Sequence, residues 1–172
     1  MSISESFLPE FDHEMANTRK LLERIPNDKA TWKPHPKSRT LGQLAIHLAF
    51  LPVWINSIME KAEFDLRSSK DGGFKRPEFK SRDTLLSFFD ENVSNARKAI
   101  SGRSDREMLV NWTFRKGEQI LFSSPRTAAL RSFVMSHSIH HRGQLTVYLR
   151  LIDVPLPELY GSTADTEAVV QS

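Results

Sequence analysis

Apolar residues recur at helical spacing in four long stretches of this chain. Residues three and four apart lie on one face of a helix, so this spacing produces a single apolar stripe. The first stretch covers about Glu5–Ile25 and the third about Arg82–Ile100, with Ser81 as the predicted N-cap. A short strand signal surrounds Lys116-Gly117, but it is weak. The pattern therefore predicts helices as the main elements.

The second stretch begins at a capping-box pattern and contains a proline. Thr40 and Gln43 are three residues apart, so each side chain can satisfy a free amide of the first turn. Pro52 lies further along the same stretch. Because proline lacks the backbone donor that a helix interior needs, Pro52 predicts a kink or the start of a new segment.

The fourth stretch has both a start and a stop signal. Ser124 is the predicted N-cap, Pro125 takes the first helical position, and Pro155 lies just past the end. Four amphipathic helices without a convincing sheet predict an all-α fold, a four-helix bundle. The length of 172 residues fits one domain over residues 1–172, with an extended C-terminal tail from about residue 154.

Composition excludes several classes of function. The chain has no Cys, which rules out disulfides, thiolate ligands and a cysteine nucleophile. Its 24 basic and 21 acidic side chains nearly balance, so the net charge of +3 does not indicate nucleic-acid binding. The basic cluster within residues 75–82 also lacks interleaved aromatics. A solvated loop is the better interpretation of that cluster.

Neither a membrane span nor a secretory signal is predicted. The most apolar stretch, Leu41–Met59, is interrupted by polar residues and Pro52, so it is interpreted as a buried helix. The first 18 residues contain no Lys or Arg, and no apolar run follows them. We therefore expect a cytoplasmic protein, without a membrane or a nucleic acid as partner.

Two histidines of the fourth helix lie where its apolar stripe would place Leu or Val. His137 and His141 continue the stripe that starts with Leu130 and Val134. Two imidazoles four residues apart can converge on one metal ion. His140 lies about 60° to the other side of His137 and could replace His141 as a ligand, although the spacing favours His141.

A third ligand is expected from the second helix. His47 lies mid-stripe among leucines, where an unpaired polar group is costly. One such residue is usually a core histidine bonded to a neighbour, but three on the inward faces of two helices favour a metal site. His13, on the polar side of the first helix, and His35, in a Pro-flanked loop, do not fit as ligands.

Several segments of the chain are typical of one family. They are WKPHP at 32–36, TLGQL at 40–44 followed by His47-Leu48, HSIHHRGQL at 137–145, and the tail from Val154-Pro155 to Ala164-Asp165. On these segments the chain resembles the DinB/YfiT-like family of metal-binding four-helix bundles. The resemblance implies a site formed by three histidines, which maps onto His47, His137 and His141, with His140 beside it. It also implies a homodimer.

The expected chemistry is that of an open metal site. Three imidazoles leave coordination positions free for water or substrate, and zinc, nickel and iron(II) all accept imidazole. The resemblance implies a thiol-dependent transferase, with a low-molecular-weight thiol as co-substrate, or a metal-dependent hydrolase, in either case acting on a small molecule. The reacting group would be a metal-bound water or thiolate, and the catalytic side chains are unknown.

Candidates for assisting residues are weak. Gln43 could orient His47, although it serves equally well as a cap partner; Arg142 could pair with a carboxylate, and His140 adjoins the site. Glu14 lies at the edge of its stripe, where a solvated side chain is more common. The alternative hypotheses are a non-catalytic bundle with a structural or sensing ion, and an interaction-mediating bundle without metal.

Overall fold

The structure is a computed structural model that describes residues 1–68 and 76–167. The predicted loop of residues 65–80 is described only in part, since residues 69–75 lie outside the described ranges. Lys75 of the basic cluster is one of them. The end of the predicted tail, residues 168–172, also lies outside.

Helices dominate the described chain. The α-helices are α1 (Ile3–Leu22), α2 (Leu41–Phe50), α3 (Val53–Glu60), α4 (Arg82–Ile100), α5 (Asp105–Leu109), α6 (Arg126–Ala129), α7 (Ser136–Arg150) and α8 (Ala164–Glu167). A short 3-10 helix covers Asn27–Lys29, and a π-helical segment, Leu130–Met135, joins α6 to α7. Three strands complete the fold: β1 (Glu63–Asp65), β2 (Asn111–Lys116) and β3 (Gln119–Pro125).

The local signals for helix ends are largely confirmed. Ser81 caps α4 at the predicted boundary, and both hydrogen bonds of the capping box between Thr40 and Gln43 are present. The second predicted helix divides at Pro52 into α2 and α3, as the missing amide of proline requires. The prediction for Ser124 is wrong, because this residue belongs to β3 and α6 begins two residues later without a side-chain cap.

The helices pack as the predicted bundle around one apolar core. Helix α4 contacts α1, α2 and α3, and α7 contacts α1 and α2. Large side chains fill the space between them, among them Phe7, Phe11, Leu48, Phe89 and Leu145, which are all at most 1% exposed. The all-α class is confirmed in outline, with a small sheet added to the bundle.

The sheet is the main departure from the predicted architecture. Strands β2 and β3 form the hairpin that the weak signal around Lys116-Gly117 indicated, and Gly117 turns the chain with a φ of 61°. Strand β1 pairs in parallel with β2 over only three residues, Glu63 opposite Thr113 being the first pair. The sheet packs on the bundle through a cluster of aromatic rings that includes Trp54, Trp112 and Phe133.

The π-helical segment changes which residues of the fourth helix face the core. In this segment the amide of Ser136 bonds to the carbonyl of Arg131, five residues earlier, so the helix contains an extra residue in that turn. After the segment, the buried positions of α7 are Ser138, Arg142, Leu145 and Leu149. His137 and His141 lie at the edge of this face and are partly buried, rather than occupying its centre.

The stretch Leu41–Glu60 is apolar and long enough to cross a membrane, yet 83% of its most apolar 18 residues are buried within the protein. The neighbouring helices therefore account for its apolar character. This arrangement agrees with the buried helix predicted for Leu41–Met59.

Candidate metal centre

Helix α2 places His47 in the interior of the bundle. The residue lies on the second turn of α2, directly after Ile46, and only 4% of it is exposed. Its ring stands at a steep angle to the rings of His137 and His141, with centroids 5.1 and 4.4 Å away. The His47 Nε2 atom lies 3.3 Å from the Nε2 atom of His137.

Helix α7 places His137 and His141 one turn apart, facing His47. Their Nε2 atoms are 2.9 Å apart. One ring nitrogen of each histidine lies within 4.8 Å of a ring nitrogen of each of the other two. The structure therefore brings together the three residues that the sequence singled out, although they come from two helices separated by 90 residues in the chain.

Hydrogen-bond acceptors lie beside the rings of His137 and His141. The backbone carbonyl of Phe133 accepts a hydrogen bond from the His137 ring. The Nδ1 atom of His141 lies 2.7 Å from Oε1 of Gln144 and donates a hydrogen bond to it. A neutral imidazole carries one proton, so the Nε2 atom of His141 presents a lone pair to the centre of the group.

The ring nitrogens of the three histidines converge closely enough for one cation to be ligated by all of them. In a tetrahedral zinc site with Zn–N distances of about 2.0–2.1 Å, neighbouring nitrogens are about 3.3 Å apart. The separations of 3.3 and 2.9 Å lie close to this value. Metal-ligating histidines typically donate a hydrogen bond to an acceptor outside the site, as the His137 ring does to the Phe133 carbonyl and Nδ1 of His141 does to Gln144. The residues present thus fit a divalent metal ion.

The histidines are uncharged at neutral pH. Burial lowers the pKa of His47 to about 3, and the positive charges of Arg39 and Arg76 act in the same direction. Burial also lowers the pKa of His137 and of His141. Because only a neutral imidazole can donate its lone pair to a metal, the three histidines are in the form that ligation requires at pH 7.

The three assisting candidates occupy different places. Gln43 is exposed, and its side-chain oxygen accepts the Thr40 amide at 3.0 Å, so it serves as the cap partner. His140 is exposed and lies outside the three-histidine group, with its Nε2 atom 3.2 Å from Nε2 of Gln144. Arg142 is directed at α1 and contacts Glu14 there.

A buried ion pair between α1 and α7 is the feature that sequence reasoning missed. Arg142 is 2% exposed and pairs with the carboxylate of Glu14, which the sequence suggested was solvated. Arg142 also donates to the Glu14 carbonyl at 2.9 Å and to the Thr18 hydroxyl at 3.3 Å. The hydroxyl of Tyr160 completes the cluster with a 2.6 Å hydrogen bond to Glu14. No carboxylate of the described residues joins the histidine group.

His13 and His35 lie outside the three-histidine group. His13 is exposed, and its Nε2 atom lies 3.1 Å from the side-chain Nδ2 atom of Asn17. His35 is exposed in its loop, where its Nδ1 atom accepts the Lys37 amide at 3.2 Å. Gln144 is the further polar residue of the site that was not predicted; its position three residues after His141 was the available signal.

Comparison with known proteins places the fold and the sequence in one group. The sequence model of the DinB family matches residues 1–168. A protein of Bacillus subtilis (strain 168) named YrdA and described as uncharacterized is 25% identical over 161 residues, which cover 91% of this chain and 87% of that protein.

Two solved structures share the architecture. The DinB-like protein YjoA of Bacillus subtilis superposes with a TM-score of 0.68 at 21% identity, over 90% of this chain and 97% of that one. A DinB-like protein from Bacillus cereus ATCC 10987 gives a TM-score of 0.67 at 23% identity, over 92% and 98% of the two chains. At these identities the likeness concerns the fold alone.

Proposed function

The chain belongs to the DinB family, and we propose that it is a metal-dependent enzyme that acts on a small molecule through a site formed by His47, His137 and His141. One observation carries the proposal: ring nitrogens of the three histidines converge, while Nδ1 of His141 is already bonded to Gln144. Three protein ligands leave positions open for a substrate, as in catalytic rather than structural sites.

Within this proposal, transfer to or from a small thiol suits the site better than hydrolysis. Hydrolysis usually needs a general acid or base beside the metal. The histidine group includes no carboxylate from the described chain, and Glu14 is committed to Arg142 and Tyr160. A bound divalent ion would itself supply the acidity that deprotonates a thiol, so the thiol reaction needs no base from the protein.

The chain's own residues would organise the reaction. His47 holds one ligand position from α2, and His137 and His141 hold two from α7, so the site depends on the packing of these two helices. Gln144 and the Phe133 carbonyl fix the ring orientations. The apolar core around Leu44 and Leu48 keeps water from the buried side of His47.

A non-catalytic ion is the second candidate, and one observation favours it. An ion held by α2 and α7 would crosslink two helices of the bundle, which is what a structural metal does. The two functions differ in what happens when the metal is removed. Unfolding after chelation would favour the structural role, whereas an intact fold without turnover would favour the enzyme.

The test is a comparison of two reactions on metal-loaded protein. A panel of small thiols is combined with the electrophile 1-chloro-2,4-dinitrobenzene, and p-nitrophenyl esters report hydrolysis. We expect metal-dependent thiol transfer that is lost in His137→Ala, with the exposed His13→Ala as the matched control. Turnover that survives in His137→Ala or after chelation would contradict the proposal.

The proposal also covers the oligomeric state, the cellular compartment and the partners of the protein. The family resemblance supports a homodimer, which light scattering of the purified protein tests. The lack of Cys suits a reducing compartment and supports the cytoplasm. The proposed partners are a small-molecule substrate and a low-molecular-weight thiol, with zinc, nickel or iron(II) as the ion.

A further inference from the structure

A cavity of about 620 Å³ lies beside the N-terminus of α2. Its volume falls within the range of about 300–1,000 Å³ that is usual for small-molecule sites. Gln43 and Ile46 of α2 line it, so it borders the turn that leads to His47. Phe79, on the segment before α4, adds an aromatic side chain to the lining.

Two arginines line this cavity, and neither forms an ion pair with another described residue. The ion pairs within residues 1–68 and 76–167 include neither Arg39 nor Arg76. The Arg76 guanidinium lies 5.0 Å from the centre of the Phe50 ring. Although Arg76 is exposed, partial desolvation lowers its pKa, and the positive charge of Arg39 lowers it further, so the two cations repel each other. An anion between them would remove this repulsion.

The backbone amides at the start of α2 are already engaged. Leu41 donates to the Trp32 carbonyl at 2.8 Å and Gly42 donates to the Ala30 carbonyl at 2.9 Å. The third amide, that of Gln43, is bonded to Thr40. An anion in the cavity would therefore be bound by the guanidinium groups, with the helix dipole as a smaller contribution.

The charge of the lining favours a carboxylate over a phosphate. Glu78 also lines the cavity, so its three charged residues sum to one net positive charge, which matches a monoanion. A phosphate monoester would bring a charge of about −1.5 to −2 near neutral pH. Guanidinium groups bind the planar carboxylate in a bidentate manner, and Ile46 and Phe79 suit an apolar body attached to it.

The cavity adjoins the histidine group through α2. Ile46 directly precedes His47, and Gln43 lies one helical turn before His47 on the same side of the helix. A molecule anchored in the cavity would thus lie close to the three histidines. This proximity, together with the border formed by α2, relates the cavity to the same site.

We propose that Arg39 and Arg76 bind the carboxylate of a small-molecule substrate in this cavity and orient the rest of the molecule towards the histidines. The inference rests on the proposed function, because it identifies the class of substrate that the metal site acts on. It adds two specificity-determining residues that lie outside the histidine group.

The test uses three probes of one shape: benzoate, its neutral analogue benzamide, and phenyl phosphate. Their affinities are measured by ligand-observed NMR titration of the protein as purified and after chelation of metal. The variants are Arg39→Gln and Arg76→Gln, with Arg106→Gln as a control that removes an equal charge from an exposed position outside the lining. Circular dichroism verifies that each variant is folded, and elemental analysis gives its metal content.

We expect benzoate to bind about tenfold or more tightly than benzamide, since charge-assisted hydrogen bonds exceed neutral ones by this order. Each cavity variant should lose about tenfold in benzoate affinity, and Arg106→Gln should match the wild type. Equal binding of benzoate and benzamide, or benzoate binding that is unaffected by both cavity variants, would overturn the proposal. Tighter binding of phenyl phosphate would overturn the assignment to a carboxylate.

The same samples separate this inference from the metal site. If the protein holds no metal yet binds benzoate through both arginines, the proposed function fails and the anion site stands. If benzoate binding disappears on chelation, the probe was bound to the ion, and the assignment to Arg39 and Arg76 is overturned.

Discussion

Two consecutive residues of α7, His141 and Arg142, enter polar clusters of opposite kinds. Arg142 meets a carboxylate, a carbonyl and two hydroxyls, so its donors face acceptors. His141 meets two other imidazoles; its Nε2 atom lies 2.9 Å from that of His137, and its Nδ1 atom is bonded to Gln144. The first cluster is complete within the chain, whereas the second presents three converging ring nitrogens that a cation could ligate.

This difference separates a structural polar cluster from a binding site. A buried polar group costs free energy unless it is paired, so the two clusters are stable under different conditions. The cluster of Arg142, Glu14 and Tyr160 should stabilise the fold at all metal concentrations. The histidine cluster should stabilise it only in the presence of metal.

The largest effect is expected from Arg142→Gln. This change leaves Glu14 buried beside an uncharged partner, and breaking a buried ion pair typically costs about 3–5 kcal/mol. Urea unfolding of the metal-free protein measures the loss. Arg97→Gln is the matched control, since its ion pair with Asp12 is exposed and should be worth less than about 1 kcal/mol. Similar losses in both variants would refute the distinction.

The next effect concerns His47→Leu and the response to metal. Zinc at one hundred times its dissociation constant should raise the free energy of unfolding of the wild type by about 2.7 kcal/mol. The variant should show no such gain. Without metal it should be at least as stable as the wild type, because Nδ1 of His47 is buried and has no hydrogen-bond partner among the described residues. His13→Leu, at an exposed histidine, should respond to zinc like the wild type.

A smaller effect is expected at Gln144, which orients His141. Gln144→Leu removes the acceptor for the Nδ1 proton and should weaken metal binding about 10- to 100-fold, the usual cost of losing such support. Gln144→Glu keeps an acceptor and should largely retain the affinity. Competition with a coloured chelator measures both. Equal weakening by the two variants would mean that the hydrogen bond does not orient the ring.

The most gradual effect is the response of the metal-free protein to pH. Burial lowers the pKa values of the three histidines in the folded protein. Below the usual histidine pKa of about 6.5, the unfolded chain therefore binds more protons than the folded protein does. Stability should therefore fall as the pH drops below about 6.5, by at most about 1.4 kcal/mol per pH unit for each histidine. For His47 the loss continues towards its folded pKa of about 3.

The contribution of Glu14 should respond in a lower pH range. Burial raises the pKa of Glu14, but the hydrogen bonds from Tyr160 and Arg142 outweigh it, so the folded value is lowered. Its stabilisation is complete above the usual value of about 4.5 and is lost as the pH falls through the folded pKa. Urea unfolding between pH 7.5 and 4 should show a flatter profile for His47→Leu already near pH 6, and for Glu14→Gln only below about pH 4.5. An unchanged profile for His47→Leu would contradict this account.

Local signals allowed much of the bundle to be predicted. Ser81, the Thr40–Gln43 capping box and Pro52 act within a few residues, and the structure has helix ends at all three. Strand β1 could not be predicted, because its three residues form a strand only through pairing with β2, some 50 residues later. Such pairing leaves no periodic signal in so short a segment.

The site was predictable in part for the same reason. His137 and His141 were found because a spacing of four residues is local. The pairing of Arg142 with Glu14 was not, because it joins helices separated by 128 residues, and the π-helical segment before α7 shifts the buried face towards Arg142. Arg39 and Arg76 also escaped prediction, since only the folded chain places these two loop residues in one cavity.

We propose above all that the three histidines form a binding site for a divalent ion. The most direct test is the metal content per chain of protein purified without a His tag, measured by elemental mass spectrometry alongside His47→Leu, His137→Ala and His141→Ala. The account predicts about one zinc, nickel or iron per chain in the wild type and its loss in each variant. A wild type that stays free of metal even after reloading would contradict it.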